Sequence, residues 1–436
     1  MTAKTKNGLV FLLGLGAITE IRVIGSIGLS ELACYFLAPF LFWAHFALFK
    51  RLRFGLFFSL LALWGFSAVL ADYVAQTYVL DRWKGVAPIY SIFAVTVCAT
   101  VLLSDDIKRV RWFLVGAFLS ALIASFVFTP AAVVESAARS GDATSDSAFN
   151  YSAWYYGTIG AVFVLPVQLA YPILPLWVSM GLVAGGAIMQ LLLGGRGAFL
   201  VALVALAFLW FGRQARQRSY RPRRMPVIML TVVLLIVGVL AKGVYEYAVS
   251  GGYMGDQELA KYETQTKTGS SAWSLLLRGR GETFAGFFAA FDKPILGHGS
   301  KAWDTAGYYQ AFVEKYGDKE DVRQLVEAYS RGIILIPAHS HIVAAWLWHG
   351  AGGLLFWLYV LWLLYKTASL WMWHVPELIG WFAIIVPSMF WNVLFSPLGS
   401  RVNVAVALTC FLLSREARLL ARNIRPQQSA MPGRKS

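Results

Sequence analysis

The sequence predicts an all-α polytopic membrane protein with about twelve transmembrane helices and one large, partly helical loop. Three observations predict it. Hydrophobic residues fill 58% of the 436 positions and charged residues only 14%, against roughly 45–50% and about 25% in ordinary soluble domains. Apolar runs of about 18 residues or more, long enough to cross a bilayer as a helix, recur along the whole chain. Lysine and arginine are dense in alternate connecting segments and sparse in the others, as the positive-inside rule requires.

In order, the expected spans lie near 7–20, 24–48, 54–73, 84–103, 111–131, 153–171, 174–193, 197–212, 225–245, 341–365, 376–397 and 402–414. The first and last are short and suit an interfacial position. Residues 1–245 thus carry nine spans, 246–340 form the large loop, 341–414 carry three more spans, and 415–436 form a basic tail. With the N-terminus in the cytoplasm, the inside segments hold Lys4 and Lys6; Lys50, Arg51 and Arg53; Lys108, Arg109 and Arg111; the block Arg213–Arg224; Lys366; and the tail from Arg415 to Lys435. That is 21 of the 38 basic residues. The short outside loops hold Arg22, Arg82, Lys84, Arg139, Arg196 and Arg401. Both termini are therefore expected inside and the large loop outside.

The large loop has patterning of its own. "ETFAGFFAAF" (282–291) has apolar positions suited to lying on a membrane surface. "DVRQLVEAYSRGIILI" (321–336) is amphipathic and is expected to be helical as far as the next motif. A second outside loop, 132–152, is small and polar. No six-plus-six repeat and no pair of broken helices is visible, which counts against a common secondary transporter.

The formal charge of +15 needs no nucleic acid to explain it. The basic blocks are accounted for by topology and anionic headgroups of membrane lipids. Seventeen Trp and nineteen Tyr suit the two interfacial belts. Cys34, Cys98 and Cys410 fall inside apolar runs, with neither a disulfide framework nor metal-ligand spacing. The first apolar run lacks a small-residue cleavage site, so a retained first span is expected. Outside carboxylates are scattered, and no close Asp pair stands at a span mouth, so metal-dependent chemistry is not expected.

"IPAHSHIVAAWLWHGAGG" (336–353) opens the tenth span with a titratable pair. Pro337 suits a helix start, which places His339 in the first turn. There the helix dipole favours neutral imidazole, a competent general base at a wet mouth. The plainer reading is an interfacial histidine bonded to water or headgroups. His341 lies roughly 200° further round a helix and cannot share a face with His339. His349 would be about 15 Å deeper, so the three histidines are no metal cluster. Gly350, Gly352 and Gly353 offer small surfaces for close helix packing. Among outside arginines, Arg196 stands at a Gly-flanked turn, and Arg278 and Arg280 stand in "LLLRGRGETF". Guanidinium forks match phosphate oxygens, though snorkelling to headgroups explains such arginines equally.

These elements together resemble the bacterial O-antigen ligase and O-antigen polymerase superfamily. In that family a late motif begins with His, usually followed by Asn, with Gly eleven and fourteen positions on. Here His339 is followed by Ser340, with Gly350 and Gly353 at those offsets. The family's Arg-Gly/Ser-x-x-Leu pattern is matched by Arg196, Gly197 and Leu200. Its loop arginine before Pro-x-x-Gly-x-Gly is matched by Arg280 with Pro294, Gly297 and Gly299, although Arg278 also qualifies. The match covers roughly 190–355. The resemblance implies a GT-C-like enzyme of the bacterial inner membrane working on the periplasmic face. The implied donor is a glycan on undecaprenyl pyrophosphate, and a ligase's acceptor is lipid A-core. It implies no cofactor, no metal and no nucleotide. His339 would deprotonate the acceptor hydroxyl, the arginines would hold the pyrophosphate, and the anomeric centre would invert.

Overall fold

A computed structural model describes residues 2–16, 20–22, 26–52, 54–103, 109–127, 158–170, 173–192, 196–218, 246–252, 281–316, 319–330, 334–371 and 379–398, with single positions 243, 259 and 262. The described chain is mostly helical. The helices are α1 (Ala3–Leu15), α2 (Leu29–Ala44), α3 (Phe46–Arg51), α4 (Gly55–Val74), α5 (Val79–Leu103), α6 (Arg109–Val127), α7 (Thr158–Ala170), α8 (Leu176–Leu192), α9 (Arg196–Arg218), α10 (Gly281–Asp292), α11 (Tyr308–Tyr316), α12 (Lys319–Ser330), α13 (His341–Trp371) and α14 (Ile379–Phe395). Helices therefore occupy the expected spans except those at 225–245 and 402–414, which lie outside the described residues, as do Arg278, Arg280 and the tail 415–436. Among the described residues, three helices are by themselves long and apolar enough to cross a membrane: Gly55–Val74, Val79–Leu102 and His341–Tyr365. Shorter apolar helices accompany them at Leu29–Ala44, Leu176–Gln190, Gly197–Phe211 and Gly380–Phe395.

The expected span at 24–48 starts later than the apolar run suggests. Residues Glu20–Arg22 (β1) and Ser26–Gly28 (β2) pair as a small antiparallel hairpin. The helix then begins at Leu29, where the Glu31 carboxylate accepts the Gly28 amide hydrogen at 3.3 Å and the Tyr35 hydroxyl at 3.2 Å. Both bonds tie a buried carboxylate to the helix start, as a helix N-terminus favours.

One core joins most helices. Trp64, Phe57, Phe356, Trp357 and Phe382 are fully enclosed in it. Helix α4 lies antiparallel to α13: Phe57 meets Phe356, and Trp64 meets Phe356 and His349. A second, smaller cluster under the loop contains Ala289, Ala302, Ile336, Trp346 and Trp348.

Two expectations are corrected, one in the loop and one in the helix that follows it. The helix expected through 321–336 ends at Ser330. Residues from Ile334 run extended instead, because Leu335 pairs with Trp303 and the Ile336 amide donates to Ala302 O at 2.9 Å. Gly350 does more than pack. Its φ of 64° and ψ of −148° break α13, in a region open essentially to glycine alone. The break frees backbone groups, and the segment 294–299 takes them up. The amides of His298 and Gly299 donate to Leu347 O and Trp348 O at 2.8 and 3.0 Å, and the Ala351 amide donates to Ile295 O at 2.9 Å. The Trp346 indole donates to Pro294 O at 3.0 Å. Irregular backbone beside a membrane helix is tolerated when it is satisfied in this way.

Candidate active site

Helix α13 begins at His341, and Ser340 caps it. The Ser340 hydroxyl accepts the Val343 amide at 3.3 Å and donates to Val393 O of α14 at 3.0 Å. Serine thus performs the capping that asparagine would also perform. His339 therefore sits just ahead of the helix rather than in its first turn, and the dipole argument for its neutrality weakens accordingly. It is exposed, at the end of the extended segment.

Helix α10 holds that segment in place. The Thr283 hydroxyl donates to His339 O at 3.2 Å. Gly286 gives room for the strand, since a Cβ there would stand 2.6 Å from Pro337 O. Because α10 starts at Gly281, the residue after Arg280, the loop-arginine motif leads in sequence directly into the turn that carries Thr283.

The C-terminal turn of α14 brings in α9. His341 is fully buried, and its Nδ1 donates to Ser396 O at 2.7 Å. Its Nε2 finds no partner among the described residues, and its ring meets Trp357 edge-on at 5.0 Å. Five residues before Ser396, in the last turns of α14, Trp391 packs on Gly197, where a Cβ would lie 2.6 Å from the indole. Arg196 is the first residue of α9, immediately before Gly197. The start of α9, the end of α14, the start of α13 and the start of α10 therefore meet at one end of the bundle. This shared end holds His339 and the backbone of Arg196. Among the described residues no group of three His, Cys, Asp or Glu could hold a metal ion.

The structure adds a buried network that motif reasoning missed. It links Trp64, His349, Ser300 and Asp72, all almost completely enclosed. The Trp64 indole N–H lies 2.9 Å from His349 Nδ1. Indole only donates, so Nδ1 is bare and neutral imidazole carries its hydrogen on Nε2. That nitrogen donates to Ser300 Oγ at 3.0 Å. Ser300 in turn donates from Oγ to Asp72 Oδ2 at 2.9 Å and from its amide to Oδ1 at 2.6 Å. The serine hydrogen points at the carboxylate and not at the imidazole. The trio is thus not arranged as a nucleophile activated by a base. It fastens the inserted segment to α4 instead. A sequence signal existed in the unusual polar residues Asp72 and His349 inside apolar runs, but nothing local paired them.

Groups near the insertion have shifted titration. Burial, together with the neighbouring Lys293, pulls the His298 imidazole below its ordinary value, against the bond it makes to Ala289 O at 2.8 Å. Burial, with the Asp292 carboxylate as hydrogen-bond acceptor, pushes the Tyr308 hydroxyl up to about 12.

Compared with family models, with curated proteins and with solved structures, the chain matches none.

Proposed function

We propose that the chain is a glycosyltransferase of the O-antigen ligase kind. It moves a polysaccharide from undecaprenyl pyrophosphate to lipid A-core at the periplasmic face of the bacterial inner membrane. One observation carries the reading: an exposed histidine, His339, is anchored by its backbone at the end of the bundle where α9 begins with Arg196. The residue is exposed at the surface, while the segment that carries it is held through Thr283 and Ser340.

In this reading His339 accepts the proton of the acceptor hydroxyl as that oxygen attacks the anomeric carbon. The bond to pyrophosphate breaks on the opposite face, and Arg196 with Arg280, or Arg278, takes up the charge developing on the leaving group. His341 is excluded as the base because it is buried and bonded to Ser396.

The test is transfer by purified protein in nanodiscs, with one lipid-linked donor and with lipid A-core, a second glycan chain or a hydroxyl-bearing peptide as acceptor. Glycan on lipid A-core supports the ligase; glycan on the other two points to a polymerase or a protein glycosyltransferase. His339→Ala is expected to lower turnover by about 10²–10⁴-fold while leaving thermal unfolding unchanged. Wild-type turnover in that variant would remove the general-base role.

A second reading, a lipid transporter, draws on the broken helix α13 and the buried Asp72–His349 pair. Against it, the backbone groups freed at Leu347, Trp348 and Ala351 are consumed by the inserted segment rather than left for a cargo. Donor-lipid flipping by the His339→Ala protein in liposomes, with no transfer in the wild type, would favour it.

A further inference from the structure

The inserted segment leads into a second feature, at the α4–α5 corner. Gly85 in the second turn of α5 faces Ser300 directly, and a Cβ at Gly85 would overlap the Ser300 side chain. The residues next to this contact are both lysines: Lys84 on the helix and Lys301 on the segment. Gly299, one residue before Ser300, rests on Thr77 and Ala75 in the α4–α5 corner. The corner also carries Arg82, whose Nε donates to Thr77 O at 2.6 Å. Two cations, Lys84 and Lys301, therefore face one seam, with one carboxylate, Asp81, bonded to Lys84 at 3.3 Å.

Lys301 is held there at some cost. Its φ is 54°, a left-handed conformation that glycine adopts freely and lysine does not. Its side chain is half-buried, with Nζ 5.0 Å from the centre of the Trp348 ring. Among the described residues it has no carboxylate within ion-pair distance. A strained, desolvated lysine beside another lysine is poorly matched to its surroundings until an anion arrives. Consistent with this, burial and the charge of Lys84 hold the Lys301 ammonium below the usual lysine range, with Asp81 opposing. Lys84 keeps 46% of its side chain exposed, so the seam is open to a ligand.

We propose that Lys84 and Lys301 form a binding site for a phosphate group, separate from the arginines Arg196 and Arg280. Two ammonium groups offer up to six N–H donors to phosphate oxygens, and the Trp348 face steadies one of them. The phosphate belongs either to a lipid headgroup or to a soluble or substrate-borne phosphate; the chemistry at the site is shared. The site does not depend on the reaction proposed above.

The test uses the full chain in nanodiscs, with unmodified lysines carrying carbon-13 at Cε and the Lys84 and Lys301 signals assigned by substitution. In phosphatidylcholine discs, inorganic pyrophosphate is titrated in. In a second arm, phosphatidylglycerol replaces part of the phosphatidylcholine, with no pyrophosphate. A saturable shift of the Lys301 signal in the first arm identifies a soluble or substrate-borne phosphate, and a shift in the second identifies a headgroup. Either supports the site. Lys84→Gln should weaken the effect at Lys301 by about 10–100-fold, the range for one lost charge-assisted bond. Lys301→Gly separates ligand binding from folding. It relieves the left-handed strain, so its unfolding midpoint should stay or rise, while the Lys84 shift should be lost. No shift in either arm, or Lys84→Gln and Lys301→Gly proteins that respond like the wild type, would overturn the proposal.

Discussion

Replacing Gly350 by alanine tests the broken helix most directly. Two costs add. The backbone at φ 64° and ψ −148° is closed to residues with a Cβ, at about 1–3 kcal/mol for a strained residue. The new methyl would also overlap the Ile295 carbonyl, so segment 294–299 must withdraw. Withdrawal breaks the bonds Ala351–Ile295, His298–Leu347 and Gly299–Trp348, each worth roughly 0.5–1.5 kcal/mol. The sum is about 3–7 kcal/mol, comparable with the whole stability of an ordinary domain. Hydrogen exchange followed by mass spectrometry reads this locally. The amides of His298, Gly299 and Ala351 should exchange far faster in Gly350→Ala than in the wild type, and the unfolding midpoint should fall. Gly8→Ala is the control, since a Cβ there meets nothing within 4 Å in the middle of α1. It should be neutral or stabilising by up to about 1 kcal/mol. Unchanged protection across 294–300 in Gly350→Ala would refute the account of an inserted, hydrogen-bonded segment.

Other expectations follow from the same geometry. Asp72→Ala leaves two buried Ser300 donors unpaired, at about 1–3 kcal/mol each, whereas Asp72→Asn keeps one acceptor. Unfolding midpoints should therefore fall in the order wild type, Asn, Ala, and equal midpoints would dismiss the latch. His341→Ala removes the bond to Ser396 and the contact with Trp357. It should cost on the order of 2 kcal/mol in thermal unfolding while the folded fraction keeps its turnover. Arg196→Lys and Arg280→Lys keep charge but lose the bidentate fork, so each should lower transfer by about 10–100-fold; wild-type kinetics in both would end the pyrophosphate role. Burial lowers the His298 value in the folded state, so its neutral form favours folding. That contribution is complete above about pH 6.5 and fades as the pH falls through the lower folded value. His298→Gln should flatten the acid limb of the stability profile, and an unchanged limb would show that His298 does not set it.

The amino-acid order alone determined the helices, because each needs only a local apolar run. Runs such as Gly55–Val74 and Ile379–Phe395 announce themselves by composition, within a few residues of their ends. It also marked His339, Arg196 and Arg280 as candidates, because their types and spacing are local too. What stayed hidden depends on partners distant in the chain. Gly350 reads as a packing glycine until segment 294–299, some fifty residues earlier, is there to satisfy the groups its break releases. Ser300 meets Asp72 across 228 positions, and Trp64 meets His349 across 285. The helix expected to continue to Ile336 has given way by Ile334, since Leu335 and Ile336 find better partners in Trp303 and Ala302. His339 stands outside its helix because the Ser340 hydroxyl, tied to both Val343 and Val393, takes the capping position. Periodicity reports what one segment can bury against a generic apolar surface. Which backbone groups are left over, and which distant residue takes them, is decided only when the segments are packed together.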